Sequence, residues 1–173
     1  QYFKRYWEQA YRNAAVLDNT SKWITPAITS WHYQKLGADG DSGASVAADH
    51  EGWPVTDVAR QTWSSIGLYE HMGKLCYSAT IRIDDVGASD ARVWLGKVAG
   101  NMRVFINGTE AEFSPDSSAA KQAPRGFCAS LTFNAGGLLK KGDNRIAIIA
   151  ERKSLDELGV GGLIGPVRVY RGK

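Results

Sequence analysis

The sequence lacks the features that mark disulfide-rich, metal-binding, nucleic-acid-binding and membrane proteins. Its 173 residues include two cysteines and three histidines, and the net charge is only +3. No apolar run approaches the roughly 18–20 residues of a membrane-spanning helix, and no signal peptide opens the chain. Lysine and arginine are scattered among aspartate and glutamate, which argues against a nucleic-acid partner. We therefore predict a globular domain that binds neither nucleic acid nor membrane.

The scarcity of cysteine excludes a disulfide framework and a cysteine-based metal site. Cys76 and Cys128 lie far apart in the sequence and in no metal-ligand spacing. Free cysteine is commonly buried as a small apolar residue, so two separate core residues are favoured. The alternative is a disulfide between the two cysteines, which requires that their strands are neighbours.

The first 19 residues have a different hydrophobic period from the rest of the chain. Apolar side chains recur there at helical spacing, namely Phe3, Tyr6, Trp7, Ala10, Tyr11, Ala14 and Leu17. Glu8 and Arg12 form an i,i+4 pair on the other side. We predict a connecting amphipathic helix over residues 1–19 that docks on a neighbouring module. The start at Gln1 without Met indicates a piece of a longer protein.

Residues 20–173 are predicted to form one β-sandwich domain, because short alternating segments follow one another between turn signals. Leu75 to Ile83 alternates cleanly, and Asn107-Gly108 predicts a tight hairpin turn. A turn-like loop is predicted from Gly96 to Asn101. Seven or eight such strands indicate an all-β, antiparallel β-sandwich.

Several motifs also occur in a characteristic order. They are Asp49-His50-Glu51-Gly52-Trp53-Pro54, Leu95-Gly96 with Val104-Phe105-Ile106-Asn107-Gly108, Leu138-Leu139-Lys140-Lys141-Gly142-Asp143-Asn144 and Gly161-Gly162-Leu163. Together they resemble the galactose-binding-like jelly roll, an accessory domain of carbohydrate-active enzymes. One version is the sugar-binding domain of the β-galactosidase and β-glucuronidase family. Another is the β-sandwich module of sialate O-acetylesterase-like polysaccharide acetylesterases.

The resemblance implies a non-catalytic, carbohydrate-binding module of a secreted or periplasmic polysaccharide-degrading enzyme. Its implied partners are a plant or microbial polysaccharide or oligosaccharide and a catalytic module in the same parent chain. Such jelly rolls often carry a structural calcium ion, although the sequence does not identify its ligands. The chain departs from the family where Cys76 and Ser78 replace a Trp and an Arg. Functions of those two groups therefore do not carry over.

No catalytic constellation is predicted. Gly40-Asp41-Ser42 looks like an esterase nucleophile block, but it lies in a Gly-rich loop without the strand and helix that present such a serine. The acidic pairs Asp84-Asp85 and Asp156-Glu157 are interpreted as solvated turn residues rather than a hydrolase pair. We therefore predict that the chain is not an enzyme by itself.

Aromatic residues are the best candidates for sugar recognition, because flat apolar rings stack on sugar faces. Four rings are expected in the core, namely Trp23, Trp53, Trp63 and Tyr77. The predicted carbohydrate-binding residues are Trp31, Tyr33 and Trp94, with His71, Arg103 and Arg125 as hydrogen-bonding neighbours. Alternation places Trp94, Phe105 and Arg103 outward, where they either form a ligand platform or are covered by the N-terminal helix. The alternative function is a structural accessory domain of a glycoside hydrolase or carbohydrate acetylesterase that binds no sugar.

Overall fold

The fold is an antiparallel β-sandwich, as the sequence predicts. The computed structural model describes residues 21–37, 46, 49–85, 90–114, 125–153 and 161–172, with only the backbone given for 21–22, 125–128 and 172. The strands are β1 Ser21–Trp23, β2 Ser30–Leu36, β3 Val55–Asp57, β4 Gly73–Ile83, β5 Arg92–Ile106, β6 Thr109–Ala111, β7 Arg125–Asn134, β8 Gly142–Arg152, β9 Gly162–Leu163 and β10 Val167–Gly172. The helix predicted over residues 1–19 lies outside the described residues. In the part of the chain that is described, no helix is long and apolar enough to cross a membrane.

Strand β5 belongs to both layers of the sandwich. Its residues 92–95 pair with β10 on one side and β7 on the other. Its residues 101–106 pair with β8, and the last three also pair with β6. The smaller layer therefore has the order β1-β10-β5-β7, and the larger layer has the order β3-β2-β4-β8-β5-β6.

The prediction of a loop from Gly96 to Asn101 is wrong, because β5 continues through these residues as a bent strand. Register shifts against β7 occur between Leu95 and Val98 and between Val98 and Ala99. Such bulges bend a strand and increase its twist without ending it. The Gly residues that suggested a loop instead mark the place where the strand passes from one layer to the other.

Two glycines make this bend possible because other atoms approach them closely. A Cβ at Gly96 would lie 2.8 Å from the carbonyl oxygen of Pro166 and 2.9 Å from the Trp94 ring. Gly100 has a φ of 107°, and a Cβ there would lie 2.7 Å from the carbonyl oxygen of Glu151. Only glycine combines a positive φ with such a close backbone approach.

The core lies between the two layers and is built from the inward residues of both. The inward set predicted for β4, from Tyr77 to Ile83, is confirmed. Trp63 is also a core residue as predicted, and its Nε1 donates a 2.6 Å hydrogen bond to the buried hydroxyl of Tyr77. Burial raises the pKa of that hydroxyl. The polar groups of these two rings therefore satisfy each other inside the core.

The predicted turn chemistry is also confirmed at the end of the larger layer. Asn107 and Gly108 have φ values of 52° and 85°, as the tight β5–β6 hairpin requires. Buried Asn144 donates to the carbonyl oxygens of Lys140 and Gly142 at 2.7 and 2.9 Å. Its own side-chain oxygen accepts from the backbone N–H of Lys140 at 2.8 Å. These hydrogen bonds specify the turn before β8. Asn144 is therefore held by the fold itself rather than by a ligand.

Candidate functional site

The outward side of the larger layer, here called the groove face, carries the candidate site. Cross-strand partners across β2, β4, β8 and β5 fall into three rows there. The rows are His32–Ser78–Ala147–Phe105, Gln34–Cys76–Ile149–Arg103 and Leu36–Lys74–Glu151–Asn101. On the two central strands, β4 and β8, the side chains are therefore small or apolar in the first two rows and charged, as Lys74 and Glu151, in the third.

The centre of the groove face is an apolar cluster that other side chains cover. Cys76, Phe105, Ala147 and Ile149 are buried in it together with Val46. Trp53 and Leu36 pack against the cluster. Trp53 was predicted in the sandwich core, which is wrong, because its segment folds onto this outer cluster instead.

Cys76 lies in this cluster as a free thiol, which agrees with the favoured interpretation of two separate cysteines for this residue. Burial raises the pKa of the Cys76 thiol to about 11. The thiol is therefore protonated and unreactive near neutral pH. The side chain of Cys128 lies outside the described residues.

A groove of about 280 Å³ opens beside the apolar cluster, toward the end where β4 begins and β8 ends. It is lined by Lys74, Asn101, Arg103, Ile149, Glu151 and Lys153. The Glu151 carboxylate lies 3.3 Å from the Lys153 ammonium. Ile149 is a buried residue beneath these polar side chains. The groove therefore combines a small apolar floor with amide, carboxylate and cationic groups.

Arg103 is held in a fixed position at one wall of the groove. Its Nε and one terminal nitrogen each donate a 2.7 Å hydrogen bond to the Glu110 carboxylate. Its guanidinium carbon also lies 5.0 Å from the centre of the Phe105 ring. A bidentate pair and a ring contact restrict the rotamers of a long side chain. Arg103 thus presents a preorganised hydrogen-bonding edge.

The groove lining differs from the carboxylate pair that glycoside hydrolysis uses. Glycoside hydrolysis requires two carboxyl groups flanking one bond. Among the described residues that line the groove, Glu151 is the only carboxylate, and it is engaged by Lys153. Sugar hydroxyls, in contrast, require mixed donors and acceptors such as those of Asn101, Glu151 and Lys74.

A stacked histidine pair lies at the other end of the groove face, and the sequence analysis did not find it. The rings of His32 and His50 are 4.2 Å apart and 15° from parallel. His32 Nδ1 donates to the Trp53 carbonyl oxygen at 3.2 Å, and His50 Nδ1 lies 2.9 Å from the Ser78 hydroxyl. Both contacts hold the segment from His50 to Trp53 on the sheet.

Burial lowers the pKa of His50, and the neighbouring His32 and Arg145 lower it further, against an opposing effect of Asp49. His50 is therefore neutral near pH 7. Ser78 is only 2% exposed, so its contact with His50 offers no accessible nucleophile. The pair is a structural clamp rather than a catalytic dyad.

Two of the three rings that were predicted to stack on sugar are buried, so the prediction that they are exposed is wrong. Trp31 is 0% exposed, packs in the core and donates from Nε1 to the Ile28 carbonyl oxygen at 3.3 Å. Trp94 points outward from the smaller layer as predicted but is only 7% exposed. The Trp23 ring, which was expected in the core, covers it on the outside at 5.9 Å between ring centres. Neither ring offers a free face for stacking on a sugar.

Apart from Tyr33, the other predicted site residues lie toward the same end of the sandwich as the groove. Tyr33 is half-buried against the core, and half-buried His71 donates from Nε2 to the Lys74 carbonyl oxygen at 3.3 Å. Arg103 lines the groove itself. The backbone of Arg125 pairs with Asn101, but its side chain lies outside the described residues. Sugar binding by these residues stays a prediction.

An exposed ring at this end was missed by the sequence analysis. Tyr69 is 55% exposed and lies in the segment that precedes β4. The guanidinium of buried Arg152 donates to its carbonyl oxygen at 2.7 Å and fixes the segment. No alternation marks this short segment in the sequence, so periodicity gave no signal for Tyr69.

The acidic residues offer little support for the expected calcium ion within the described chain. Asp84 and Asp85 accept from Arg82 and Arg171 at 3.3 and 3.4 Å. No cluster of three or more potential His, Cys, Asp or Glu ligands occurs among the residues that the structure describes. Asp156-Glu157 and Gly40-Asp41-Ser42 lie outside them.

Comparison with known proteins identifies the fold. No protein-family model and no curated protein sequence matches the chain. Among solved structures, the β-glucuronidase of an uncultured Clostridium species matches with a TM-score of 0.66 and 13% identity, over 88% of this chain and 29% of its own.

Two further β-glucuronidases match in the same way. The Bifidobacterium dentium enzyme, complexed with coumarin-3-O-glucuronide, has a TM-score of 0.68 and 12% identity, over 89% of this chain and 30% of its own. The Bacteroides uniformis enzyme has a TM-score of 0.60 and 16% identity, over 87% of this chain and 17% of its own. The chain thus has the fold of a β-sandwich segment that makes up less than a third of each of these glycoside hydrolases.

Proposed function

We propose that the chain is a non-catalytic accessory domain of a larger, secreted or periplasmic carbohydrate-active enzyme. The observation that carries the proposal is the structural match, which covers nearly all of this chain but only 17–30% of three β-glucuronidases. The groove chemistry agrees with it, because the lining offers hydrogen-bonding groups without a hydrolytic pair. The catalytic module would then lie elsewhere in the parent chain.

We further propose that the domain binds carbohydrate at the groove of the larger layer. Its volume of about 280 Å³ is at the small end for ligand pockets, so it would hold one or two sugar units of a plant or microbial polysaccharide. Lys74, Asn101 and Arg103 would donate to hydroxyl or ring oxygens, and Glu151 would accept. Recognition would then depend on fixed polar groups rather than on a stacking platform.

Titration against a glycan panel tests the binding proposal. Asn101→Ala or Lys74→Ala should weaken binding of the best glycan about tenfold, since a lost hydrogen bond to a ligand costs about 1–2 kcal/mol. Arg60→Ala is the matched control, because Arg60 is a highly exposed cation paired with Asp57. Asp57 pairs with Ser30, at the opposite end of β2 from the groove residue Lys74. Equal loss in the control, or unchanged binding in both groove variants, would place the site elsewhere.

A structural accessory domain without sugar binding is the second candidate. The observation that favours it is the burial of Trp31, Trp63 and Trp94, which leaves these large rings unavailable for stacking. Deleting the domain from the parent enzyme would then lower the melting temperature of the whole protein while the KM for a soluble substrate stays the same. A raised KM for polymeric substrate alone would favour carbohydrate binding instead.

The isolated chain should hydrolyse neither p-nitrophenyl β-glucuronide nor p-nitrophenyl acetate. The physical reason is that Ser78, which contacts His50, is buried, and that the groove lining has one engaged carboxylate. Steady-state absorbance assays of the purified chain check this. Release of nitrophenol that Ser78→Ala or Ser42→Ala abolishes would contradict the non-catalytic assignment.

A further inference from the structure

Two exposed apolar side chains lie in the short segment that leads into β4, the strand whose Lys74 lines the groove. Tyr69 is 55% exposed and Met72 is 38% exposed. Among the described residues, Val55 is the only other large apolar side chain exposed to this degree. Apolar residues scattered singly over a surface are ordinary, so the occurrence of two within four residues distinguishes this segment.

We propose that Tyr69 is a stacking ring for a sugar unit that extends out of the groove, so that the domain binds an oligosaccharide over several units. The inference rests on the proposed binding of carbohydrate at the groove and adds a second binding position outside it. It assigns the ligand to oligosaccharides whose pyranose units carry equatorial hydroxyls.

The backbone of Tyr69 is tied to a strand that lines the groove. Arg152 of β8 pairs with Gly73 of β4, and its guanidinium donates to the Tyr69 carbonyl oxygen at 2.7 Å. The residues on either side of Arg152, namely Glu151 and Lys153, both line the groove. Tyr69 therefore lies at the end of the sandwich where the groove opens.

The segment around Tyr69 is also fixed from below. Leu68 is buried, and its backbone N–H donates to the Trp63 carbonyl oxygen at 2.7 Å. The backbone N–H of His71 donates to the Leu68 carbonyl oxygen at 3.1 Å, which closes a turn around Tyr69. The His71 ring lies 5.5 Å from the Trp63 ring. A ring on such a fixed backbone binds a ligand at a low cost in conformational entropy.

The separation of the two positions suits an oligosaccharide. Tyr69 lies five residues before Lys74, and five extended residues span at most about 18 Å. The turn between Leu68 and His71 makes the actual span shorter. A tetrasaccharide is long enough to place one end in the groove and another unit on Tyr69.

The two positions are complementary to different parts of a pyranose unit. Equatorial hydroxyls lie around the rim of the sugar ring, where the polar side chains of Asn101 and Glu151 can exchange hydrogen bonds with them. The two faces of such a unit consist of C–H bonds, which pack on an aromatic ring. The flexible thioether of Met72 can adapt to the same apolar face. These features favour β-linked glucose and related all-equatorial units.

Titration calorimetry with two probes of the same chemistry separates the two positions. Cellobiose fills the groove alone, whereas cellotetraose also reaches Tyr69. Tyr69→Ala should weaken cellotetraose binding about tenfold, because it removes a stacked ring, and should change cellobiose binding less than twofold. Tyr69→Phe keeps the ring and should bind both probes like the parent chain.

Val55→Ala is the matched control, because Val55 is also 55% exposed but lies on β3 at the edge of the larger layer. It should leave the binding of both probes unchanged. Lys74→Ala should weaken both probes, since both occupy the groove. The melting temperature of Tyr69→Ala should equal that of the parent chain. If it is lower, Tyr69→Leu, which keeps apolar bulk without a ring, decides with the same two probes.

Three results would overturn the inference in different ways. If Tyr69→Ala binds cellotetraose like the parent while Lys74→Ala binds it more weakly, the groove is the whole site. Equal weakening of both probes in Tyr69→Ala would show that Tyr69 supports the groove instead of a second sugar unit. A parent chain that binds neither probe would exclude this ligand class, and the glycan panel would then decide by itself whether the groove binds another sugar.

Discussion

The two outer faces of the sandwich exclude water in different ways. The groove face buries one ring, Phe105, among smaller side chains around Cys76 and Ile149, and it has charged residues at both ends. The outward side of the smaller layer, here called the aromatic face, buries the large Trp94 and Tyr170 rings behind a further ring, Trp23. Both faces point outward by strand alternation, yet neither is a free apolar surface.

This difference bears on where a ligand would be recognised. On the aromatic face, the Trp23 ring lies against Trp94, which is only 7% exposed. On the groove face, the polar third row remains open as a groove around Lys74 and Asn101. The candidate site therefore lies where polar side chains line the surface, whereas Trp31 and Trp94, which the sequence analysis expected to mark the site, are buried.

Removing one ring from each face should produce the largest effect and tests whether both faces are structural. Trp94→Ala and Phe105→Ala should each lower the free energy of unfolding by about 3–5 kcal/mol, because each ring is nearly fully buried. Urea denaturation followed by circular dichroism checks both. A loss below about 1 kcal/mol at either ring would show that its face is a replaceable surface.

A smaller effect is expected from filling the close contact beneath Trp94. A Cβ at Gly96 would meet both the Trp94 ring and the Pro166 carbonyl oxygen, so Gly96→Ala should cost about 1–3 kcal/mol of stability. Gly37→Ala is the control, because a Cβ at Gly37 meets nothing within 4 Å. Equal unfolding midpoints for the two variants would contradict the tight fit.

The histidine clamp on the groove face should make that face sensitive to acid. The pKa of His50 in the folded chain lies below its ordinary value of 6.5, so the unfolded chain binds the proton more readily. The stability from neutral His50 is complete above about pH 6.5 and declines as the pH falls through the folded pKa. His50→Gln should flatten this part of the stability profile, measured as the melting temperature between pH 7.5 and 5. A parallel profile for the variant would argue against the clamp.

The smallest effect is expected at the exposed ion pair beside the groove. Glu110→Gln should change stability by less than about 1 kcal/mol, because Arg103 and Glu110 are both partly exposed to solvent. The same change frees Arg103 to move, so binding of a groove ligand should weaken more than stability does. A stability loss as large as that of Phe105→Ala would show that the pair supports the fold instead.

Strand alternation and turn chemistry were sufficient to predict most of the fold. The sides of Tyr77 and Trp94 and the turn at Asn107-Gly108 depend on neighbours close in sequence, so local patterns predict them. The continuity of β5 was not predictable, because a bulge with glycines has the same local pattern as a loop. The backbone atoms that leave no room for a Cβ at this bend belong to Pro166 and Glu151, which are distant in the sequence.

The candidate site was harder to predict than the fold for a related reason. Strand alternation predicts the side of the sheet on which a residue lies. Whether that residue is buried depends on which distant parts of the chain pack on that side. Trp23 on Trp94 and Trp53 near Phe105 are such long-range contacts. The His32–His50 stack likewise requires the register of β2 against β4, which no local pattern contains.

The shared strand β5 has a consequence for how the domain unfolds. Because β5 pairs with β6, β7, β8, β9 and β10, neither layer can lose its hydrogen bonds at β5 without disturbing the other. The two layers should therefore melt together in one cooperative transition, and the slowest amide exchange should occur along the whole of β5 rather than in one layer. Most of these pairings join distant parts of the chain, so the domain should also fold slowly for its size.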